Sequence, residues 1–131
     1  MNKNLFWAKK ENNIVKTGIT TYGQQFMQDI VYLDLPAIGS SVAKNQKYGS
    51  IESISMVVEL IASVDGIVKE VNVELDDTPE LVNEDAYGAG WLITIQPPTK
   101  DVKIPNGFDI IVPSTDDRTR AYSGSDNTRI Y

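Results

Sequence analysis

The sequence contains no cysteine and no histidine among its 131 residues. Without them the chain has no thiol nucleophile, no disulfide, no zinc site with thiolate or imidazole ligands and no catalytic dyad that uses histidine as its base. It also has no long apolar run, and residues 1–13 are polar where a signal peptide would be apolar. We therefore expect a cytoplasmic, non-membrane protein, and most classes of enzyme are excluded.

Basic residues are scarce. Lysine and arginine number 12 against 18 aspartates and glutamates, which gives a formal net charge of -6. Because nucleic-acid binding needs a basic face opposite the phosphates, we expect no nucleic-acid partner. At this length, with 41% hydrophobic residues, the chain can bury a core of its own.

The pattern of residues favours a mainly β fold. Between residues 5 and 96 the chain is rich in β-branched and aromatic residues, and several short segments alternate between apolar and polar residues. Asp65 and Gly66 are typical of a hairpin turn, in which glycine supplies the positive φ angle. Many short strands at close spacing predict a small barrel or sandwich. The predicted strands span 13–18, 30–35, 48–54, 58–62, 71–75 and 91–96, and the alternation in the last two is typical of half-buried strands.

Two short helices are expected to interrupt the strands. Thr20, or the threonine after it, can cap a helix that runs to about residue 28, with Phe26 and Met27 facing inward. Thr78 is typical of a second N-cap, because a proline and an acid follow it in the positions of a first helical turn.

The composition changes near residue 97. We predict a main domain over residues 1–96 and a C-terminal extension over 97–131, rich in proline, aspartate and serine. One apolar patch in the extension, 108–112, is a possible further strand.

One pair of carboxylates is a candidate catalytic pair. Glu52 and Glu59 flank a predicted hairpin, and paired carboxylates can do acid and base work. Such work needs a perturbed pKa and therefore burial, whereas exposed strand residues are the simpler interpretation. An enzymatic role is accordingly the weakest hypothesis.

Several strings in the sequence closely resemble the H protein of the glycine cleavage system. The most specific are Pro-Glu-Leu-Val-Asn-Glu-Asp at 79–85 and Gly-Ala-Gly-Trp-Leu at 88–92. The resembling blocks follow the order of that family and cover 15–23, 29–36, 49–53, 77–85 and 87–93.

This resemblance implies a fold and a role. The fold is a barrel-sandwich hybrid, the flattened β barrel of lipoyl and biotinyl carriers, here with two short helices. The role is that of a carrier rather than an enzyme. In the family, a lysine at a hairpin tip is joined through an amide to lipoic acid. That arm takes an aminomethyl group from glycine decarboxylase to aminomethyltransferase and is reoxidised by dihydrolipoamide dehydrogenase.

The attachment lysine is missing from this sequence. The family string Glu-Ser-Val-Lys-Ala-Ala-Ser-Asp-Leu aligns without a gap with residues 52–60, and the lysine falls on Ser55. A serine hydroxyl cannot form the stable amide that a lipoate ligase makes. The nearest lysines, Lys47 and Lys69, are not expected at this tip. We therefore predict that Ser55 is unmodified and that the chain as written carries no cofactor.

The residues around Ser55 are predicted to face a protein partner. This predicted partner-facing hairpin comprises Glu52, Ser53, Met56, Val57 and Glu59. Met56, Val57 and Val58 replace small or polar residues of the family, and apolar residues on an exposed turn tend to be covered. Two interpretations stay open: a tip that has drifted or is covered by its own chain, including the extension, and a tip that docks on a partner.

The sequence thus predicts a non-lipoylated pseudo-carrier of the glycine cleavage or lipoate machinery. Its candidate partners are glycine decarboxylase, aminomethyltransferase, dihydrolipoamide dehydrogenase and lipoate ligase. The alternative is a genuine lipoyl carrier whose lysine was changed to serine by engineering. The adjacent apolar replacements count against a single engineered change.

Overall fold

The described residues fold into two β-sheets and three short helices, and the computed structural model describes residues 3–112. Within that range the elements are β1 (Phe6–Glu11), β2 (Ile14–Ile19), α1 (Thr21–Met27), β3 (Ile30–Asp34), β4 (Ser41–Val42), β5 (Lys47–Ser53), β6 (Val57–Ile61), β7 (Gly66–Val71), α2 (Glu74–Asp77), α3 (Leu81–Glu84), β8 (Ile93–Gln96) and β9 (Phe108–Ile110). The prediction of a mainly β fold is confirmed, although the described residues form three short helices instead of two.

The strands divide into a large sheet and a small sheet. The large sheet has the order β4-β7-β8-β2-β1-β9, and the small sheet has the order β3-β5-β6. Neighbouring strands are antiparallel except β1 and β9, which run parallel. The segment 108–112 therefore contributes β9 to the edge of the large sheet.

The core lies between the two sheets. Val15 and Ile95 are fully buried residues of the large sheet, and Ile51 and Leu60 are fully buried residues of the small sheet. The strand predicted at 91–96 differs from expectation, because residues 92–95 are all buried rather than alternating. β8 lies in the interior of the large sheet between β7 and β2.

The first helix begins where the sequence predicts. Thr20 is its N-cap, and the Thr20 Oγ1 accepts a hydrogen bond from the Gly23 amide at 2.9 Å. Met27 is buried, but Phe26 is 50% exposed and stacks on Tyr22, so its predicted inward orientation is wrong. Consecutive residues point about 100° apart around a helix, so Met27 can face the core while Phe26 faces outward.

The predictions for residues 71–78 are wrong. The strand ends at Val71, and the residues expected to continue it form α2, for which Thr78 is the C-cap and not the N-cap of a following helix. The N-cap of α3 is Glu80. Just after β7 ends, the side-chain amide of the buried Asn72 donates to the carbonyls of residues 89 and 91, a tertiary contact that the local alternation does not reveal.

The hairpin predicted at Asp65 and Gly66 is also wrong. These residues connect β6 in the small sheet to β7 in the large sheet. A Cβ atom at Gly66 would lie 2.3 Å from the carbonyl oxygen of Gln96, so glycine is required here for close approach of two backbones.

The helices of the described part are short. Among residues 3–112, no helix is long and apolar enough to cross a membrane, and α1 has only seven residues.

Candidate functional site

The position of Ser55 is the tip of the hairpin formed by β5 and β6. Glu52 pairs with Val57, and Ser50 pairs with Glu59, so the predicted hairpin is present. Three residues, Ile54, Ser55 and Met56, connect the strands, and we call them the hairpin tip. The strands place this tip at the end of the small sheet.

Ser53 fixes the shape of the hairpin tip. Its side chain is buried, and its Oγ accepts hydrogen bonds from the amides of Ser55 at 3.2 Å and Met56 at 3.1 Å. The Ser53 amide donates to the Met56 carbonyl at 2.8 Å. A serine that binds the amides two and three residues ahead stabilises a tight turn. Of the predicted site residues, Ser53 thus has a structural role in the turn.

The hairpin tip is attached to the end of α1. The Ser55 Oγ donates a hydrogen bond to the Met27 carbonyl at 3.2 Å, and the Ile54 amide donates to the Asp29 carbonyl at 2.9 Å. Carbonyls at the end of a helix lack partners within the helix. The tip therefore supplies a donor to a helix end that needs one.

The surroundings of Ser55 do not make it a nucleophile. Its hydroxyl is exposed, and its described oxygen contacts are the Met27 carbonyl and, at 3.5 Å, the Ser53 Oγ. Neither group can take up a proton as a general base, which an activated serine requires. Among the described residues, no group of three or more His, Cys, Asp or Glu residues could hold a metal ion.

Neither neighbouring lysine lies at the hairpin tip. Lys47 pairs with Ile61 at the opposite end of the hairpin, and its Nζ lies 4.0 Å from the Glu59 Oε2. Lys69 belongs to β7 in the large sheet. The three residues of the hairpin tip thus include no primary amine, and they do not fit lipoic acid attached through an amide.

Glu52 lies in a row of exposed side chains on the outside of the small sheet. It pairs with Tyr32 on one side and Val57 on the other, and residues directly opposite each other share a face. We call Tyr32, Glu52 and Val57 the outer row. Tyr32 is 58% and Val57 is 66% exposed. An exposed Glu52 and a Glu59 beside Lys47 fit the interpretation as surface residues better than a catalytic pair.

The apolar residues around the hairpin tip divide into two groups. Met56 and Val58 are partly buried and pack against the core of this chain. Ile54, 63% exposed, and Val57 remain accessible. Met56 and Val58 therefore contribute to the chain's own core, whereas Ile54 and Val57 leave an apolar surface available for contact.

The extension does not reach the hairpin tip within the described residues. Its segment up to residue 112 adds β9 to the large sheet, where the Ile111 amide donates to the Ala8 carbonyl at 2.9 Å. Any covering of the tip by residues 113–131 falls outside the described part of the chain.

Two features of the site were missed by sequence reasoning. Tyr32 joins the outer row, and a register shift between Ile30 and Tyr32 puts it on the outer face although Ile30 is buried. The contact of Ser55 with the Met27 carbonyl joins residues 28 apart through a backbone atom. No residue type in the sequence marks that contact.

Comparisons with known proteins agree on one family. The sequence model of the family "Glycine cleavage H-protein" matches residues 1–105. The chain is 45% identical over 91 residues to the glycine cleavage system H protein of Anaeromyxobacter sp. (strain K), covering 70% of this chain and 71% of that protein. For the H protein of Mycobacterium tuberculosis (strain ATCC 25618 / H37Rv), the identity is 44% over 97 residues, covering 73% and 72%. A crystal structure of the H protein from Mycobacterium marinum superposes with a TM-score of 0.69 at 32% identity, covering 75% of this chain and 82% of that one.

Proposed function

This chain belongs to the glycine cleavage H-protein family, and we propose that it acts there as a non-lipoylated pseudo-carrier, a binding protein that keeps the carrier scaffold without its prosthetic group. Members of the family are carriers and not catalysts, so the chain is not an enzyme. The resemblance seen in the sequence and the barrel-sandwich fold it implies are both confirmed.

One observation carries the proposal. The hairpin tip, to which we assign the attachment position, has the alcohol of Ser55, whose hydroxyl is hydrogen-bonded to the Met27 carbonyl. Attachment of lipoic acid as an amide needs a primary amine on a long, flexible stem. A short side chain at a tip attached to α1 offers neither the amine nor the reach.

Without the prosthetic group, the carrier scaffold still has an exposed surface that can contact proteins. The outer row and Ile54 present apolar side chains around the carboxylate of Glu52. We propose that this surface contacts a protein of the glycine cleavage or lipoate machinery. The candidates are glycine decarboxylase, aminomethyltransferase, dihydrolipoamide dehydrogenase and lipoate ligase, and the proposed location is the cytoplasm.

The packing around Ser55 supports a natural serine over an engineered one. Met56 and Val58 contribute to the core next to the tip, so the apolar character of this segment belongs to the fold. A single exchange of lysine for serine would not have produced those neighbours.

The decisive experiment restores the amine. Ser55→Lys is co-expressed with a lipoate ligase, and the intact mass of the purified protein is recorded. If the recognition surface of the hairpin is retained, the variant gains one lipoyl group while the wild-type protein gains none. Ile54→Lys, an exposed lysine one residue away, is the matched control and should remain unmodified.

Two results would contradict the proposal. A lipoyl group on the wild-type chain would show that Ser55 does not abolish carrier function. A folded Ser55→Lys variant that stays unmodified would separate the hairpin from the lipoate machinery. Circular dichroism and thermal unfolding of each variant establish that it is folded.

A further inference from the structure

A surface groove of about 350 Å³ lies beside β3, and none of the hairpin tip residues lines it. One wall comes from residues 32–38, which include the end of β3 and the connection to β4. The other wall comes from Val71, Val73 and Asp76, at the end of β7 and in α2. The groove therefore lies where the two sheets separate.

The groove arises because the chain changes sheets at this point. β3 belongs to the small sheet, whereas Ser41 in β4 pairs with Ile67 in the large sheet. The Gly39 amide donates to the Val68 carbonyl at 2.8 Å, which holds the crossing segment on β7. Pro36 has no amide hydrogen and cannot extend β3 into the gap. The crossing thus leaves the groove between the two sheets.

The walls of the groove expose apolar side chains. Tyr32, Ile38 and Val73 line it and are 58%, 66% and 68% exposed. Clustered exposed apolar groups mark contact sites. The volume is at the small end of the range of about 300–1,000 Å³ for ligand sites, so the groove suits a few side chains of a peptide.

The charge of the groove has one sign. Asp34 and Asp76 line it, and neither lysine nor arginine is among the described lining residues. A phosphate or nucleotide would be repelled here. A cationic side chain would be attracted, and complementary charge of this kind selects among partners.

The backbone of β3 adds a third feature. β3 is an outer strand of the small sheet, so one of its edges has no strand partner within residues 3–112. The Ile30 amide at the start of β3 already donates to the Asn83 Oδ1 at 3.0 Å, and α2 packs against β3, so only the end of β3 that lines the groove is left for a peptide backbone.

We propose that this groove binds an extended peptide segment of a partner protein, in which a lysine or arginine is flanked by apolar residues. The basic side chain interacts with the carboxylates of Asp34 and Asp76, and its apolar neighbours contact Ile38 and Val73. The site is separate from the hairpin tip and does not depend on the pseudo-carrier role. Tyr32 belongs to both surfaces and is therefore not used to test either.

The test uses peptides selected from a random display library against the full-length protein, with affinities measured by fluorescence anisotropy. We expect the selected peptides to carry a lysine or arginine between apolar residues. The double variant Asp34→Asn, Asp76→Asn should weaken their binding by about fivefold, the effect of losing exposed ion pairs. Ile38→Ser should weaken it by a similar factor through lost apolar contact. Asp77→Asn, which changes an acid of α2 outside the groove, should leave binding unchanged.

Several outcomes would overturn the proposal. The proposed basic peptide is excluded if the library yields no binding peptide. It is also excluded if the selected peptides lack a basic residue or bind the double aspartate variant as well as the wild type. A groove variant that shifts the mass seen by sedimentation equilibrium would assign the groove to a second copy of the chain. If peptides bind only after Arg118, Arg120 and Arg129 are replaced by glutamine, the groove is assigned to the chain's own C-terminal segment. Ser55→Lys should bind the peptides normally, so failure of the pseudo-carrier role would be seen separately.

Discussion

The hydroxyl of Ser55 donates a hydrogen bond to the main-chain carbonyl of Met27 at 3.2 Å, and so joins the tip of one hairpin to the end of α1. In the function proposed above, this structural contact takes the place of the amine that would carry a lipoyl group. The consequences of that contact can be measured.

Ser55→Ala should lower the free energy of unfolding only slightly. The serine is exposed, and one hydrogen bond is worth about 0.5–1.5 kcal/mol net. Amide hydrogen exchange at residues 53–56 should become faster, because the tip loses one of its attachments to α1. Ser50→Ala, on the same hairpin but away from the tip, is the control. A Ser55 variant with unchanged exchange would show that the contact with Met27 does not hold the tip.

Ser53→Ala should cost more than Ser55→Ala. The Ser53 Oγ is the side-chain acceptor for the amides of Ser55 and Met56, and Ser53 is buried. Ser53→Ala removes the acceptor of two hydrogen bonds, each worth about 0.5–1.5 kcal/mol net, whereas Ser55→Ala removes one such bond to α1. Urea unfolding of the two variants gives the order directly. Equal losses would mean that Ser53 does not define the turn.

Ser63→Ala should have the opposite sign and stabilise the protein. Ser63 is fully buried, and its Oγ has no hydrogen-bond partner among the described residues. Removing an unsatisfied hydroxyl relieves a desolvation cost of about 1–3 kcal/mol, of which a small new cavity returns part. The urea midpoint should therefore rise, whereas it falls for Ser53→Ala. A lower midpoint for Ser63→Ala would indicate that the hydroxyl has a partner.

Tyr48 should make stability depend on pH in alkaline solution. Burial raises the pKa of the Tyr48 phenol well above its ordinary value, and a hydrogen bond with Thr17 opposes part of that shift. In the unfolded chain the Tyr48 phenol ionises above about pH 10, whereas in the folded chain it keeps its proton. The contribution of Tyr48 to the free energy of unfolding is therefore complete below that pH and is lost as the pH rises toward the pKa of the folded state.

Tyr48→Phe should reduce this alkaline loss of stability. The measurement is the free energy of unfolding in urea at about pH 9 and about pH 11. Tyr32→Phe, which changes an exposed tyrosine, is the control and should keep the full pH dependence. If Tyr48→Phe loses as much stability as the wild type between the two pH values, burial of Tyr48 does not govern the effect.

Local signals in the sequence were enough for the strands of the small sheet, the first helix and the hairpin of β5 and β6. Segments rich in β-branched and aromatic residues and separated by turn residues located the strands of the small sheet to within one or two positions, and Thr20 marked the start of α1. The specific family strings located Ser55 at the tip. Each of these depends on neighbouring residues and their spacing.

Tertiary contacts account for the features that were not predicted. Just after β7 ends, the side-chain amide of Asn72 donates to carbonyls 17 and 19 residues away. The backbone of Gln96 leaves room only for glycine at position 66, and the groove arises where the chain passes from the small sheet to the large sheet. A sequence pattern does not reveal which distant backbone will lie against a residue. This explains why Asp65 and Gly66 were read as a hairpin turn.

Gly18→Ala should destabilise the fold through the indole of Trp7. Gly18 and Trp7 are directly paired across β1 and β2, and an added Cβ would lie 2.5 Å from the ring. The ring cannot move aside easily, because it is 1% exposed and its Nε1 donates to the Ala86 carbonyl at 3.0 Å. Overpacking of a rigid site costs about 1–3 kcal/mol, which urea unfolding can measure.

Gly88→Ala is the matched control for this clash. The Cβ there would meet the carboxylate of Asp85 at 2.5 Å, the far end of an exposed and flexible side chain. That carboxylate can swing away at the cost of its hydrogen bond to the Ala89 amide, so the loss should be smaller than for Gly18→Ala. If the two variants lose equal stability, the fixed position of the Trp7 ring is not what requires glycine at position 18.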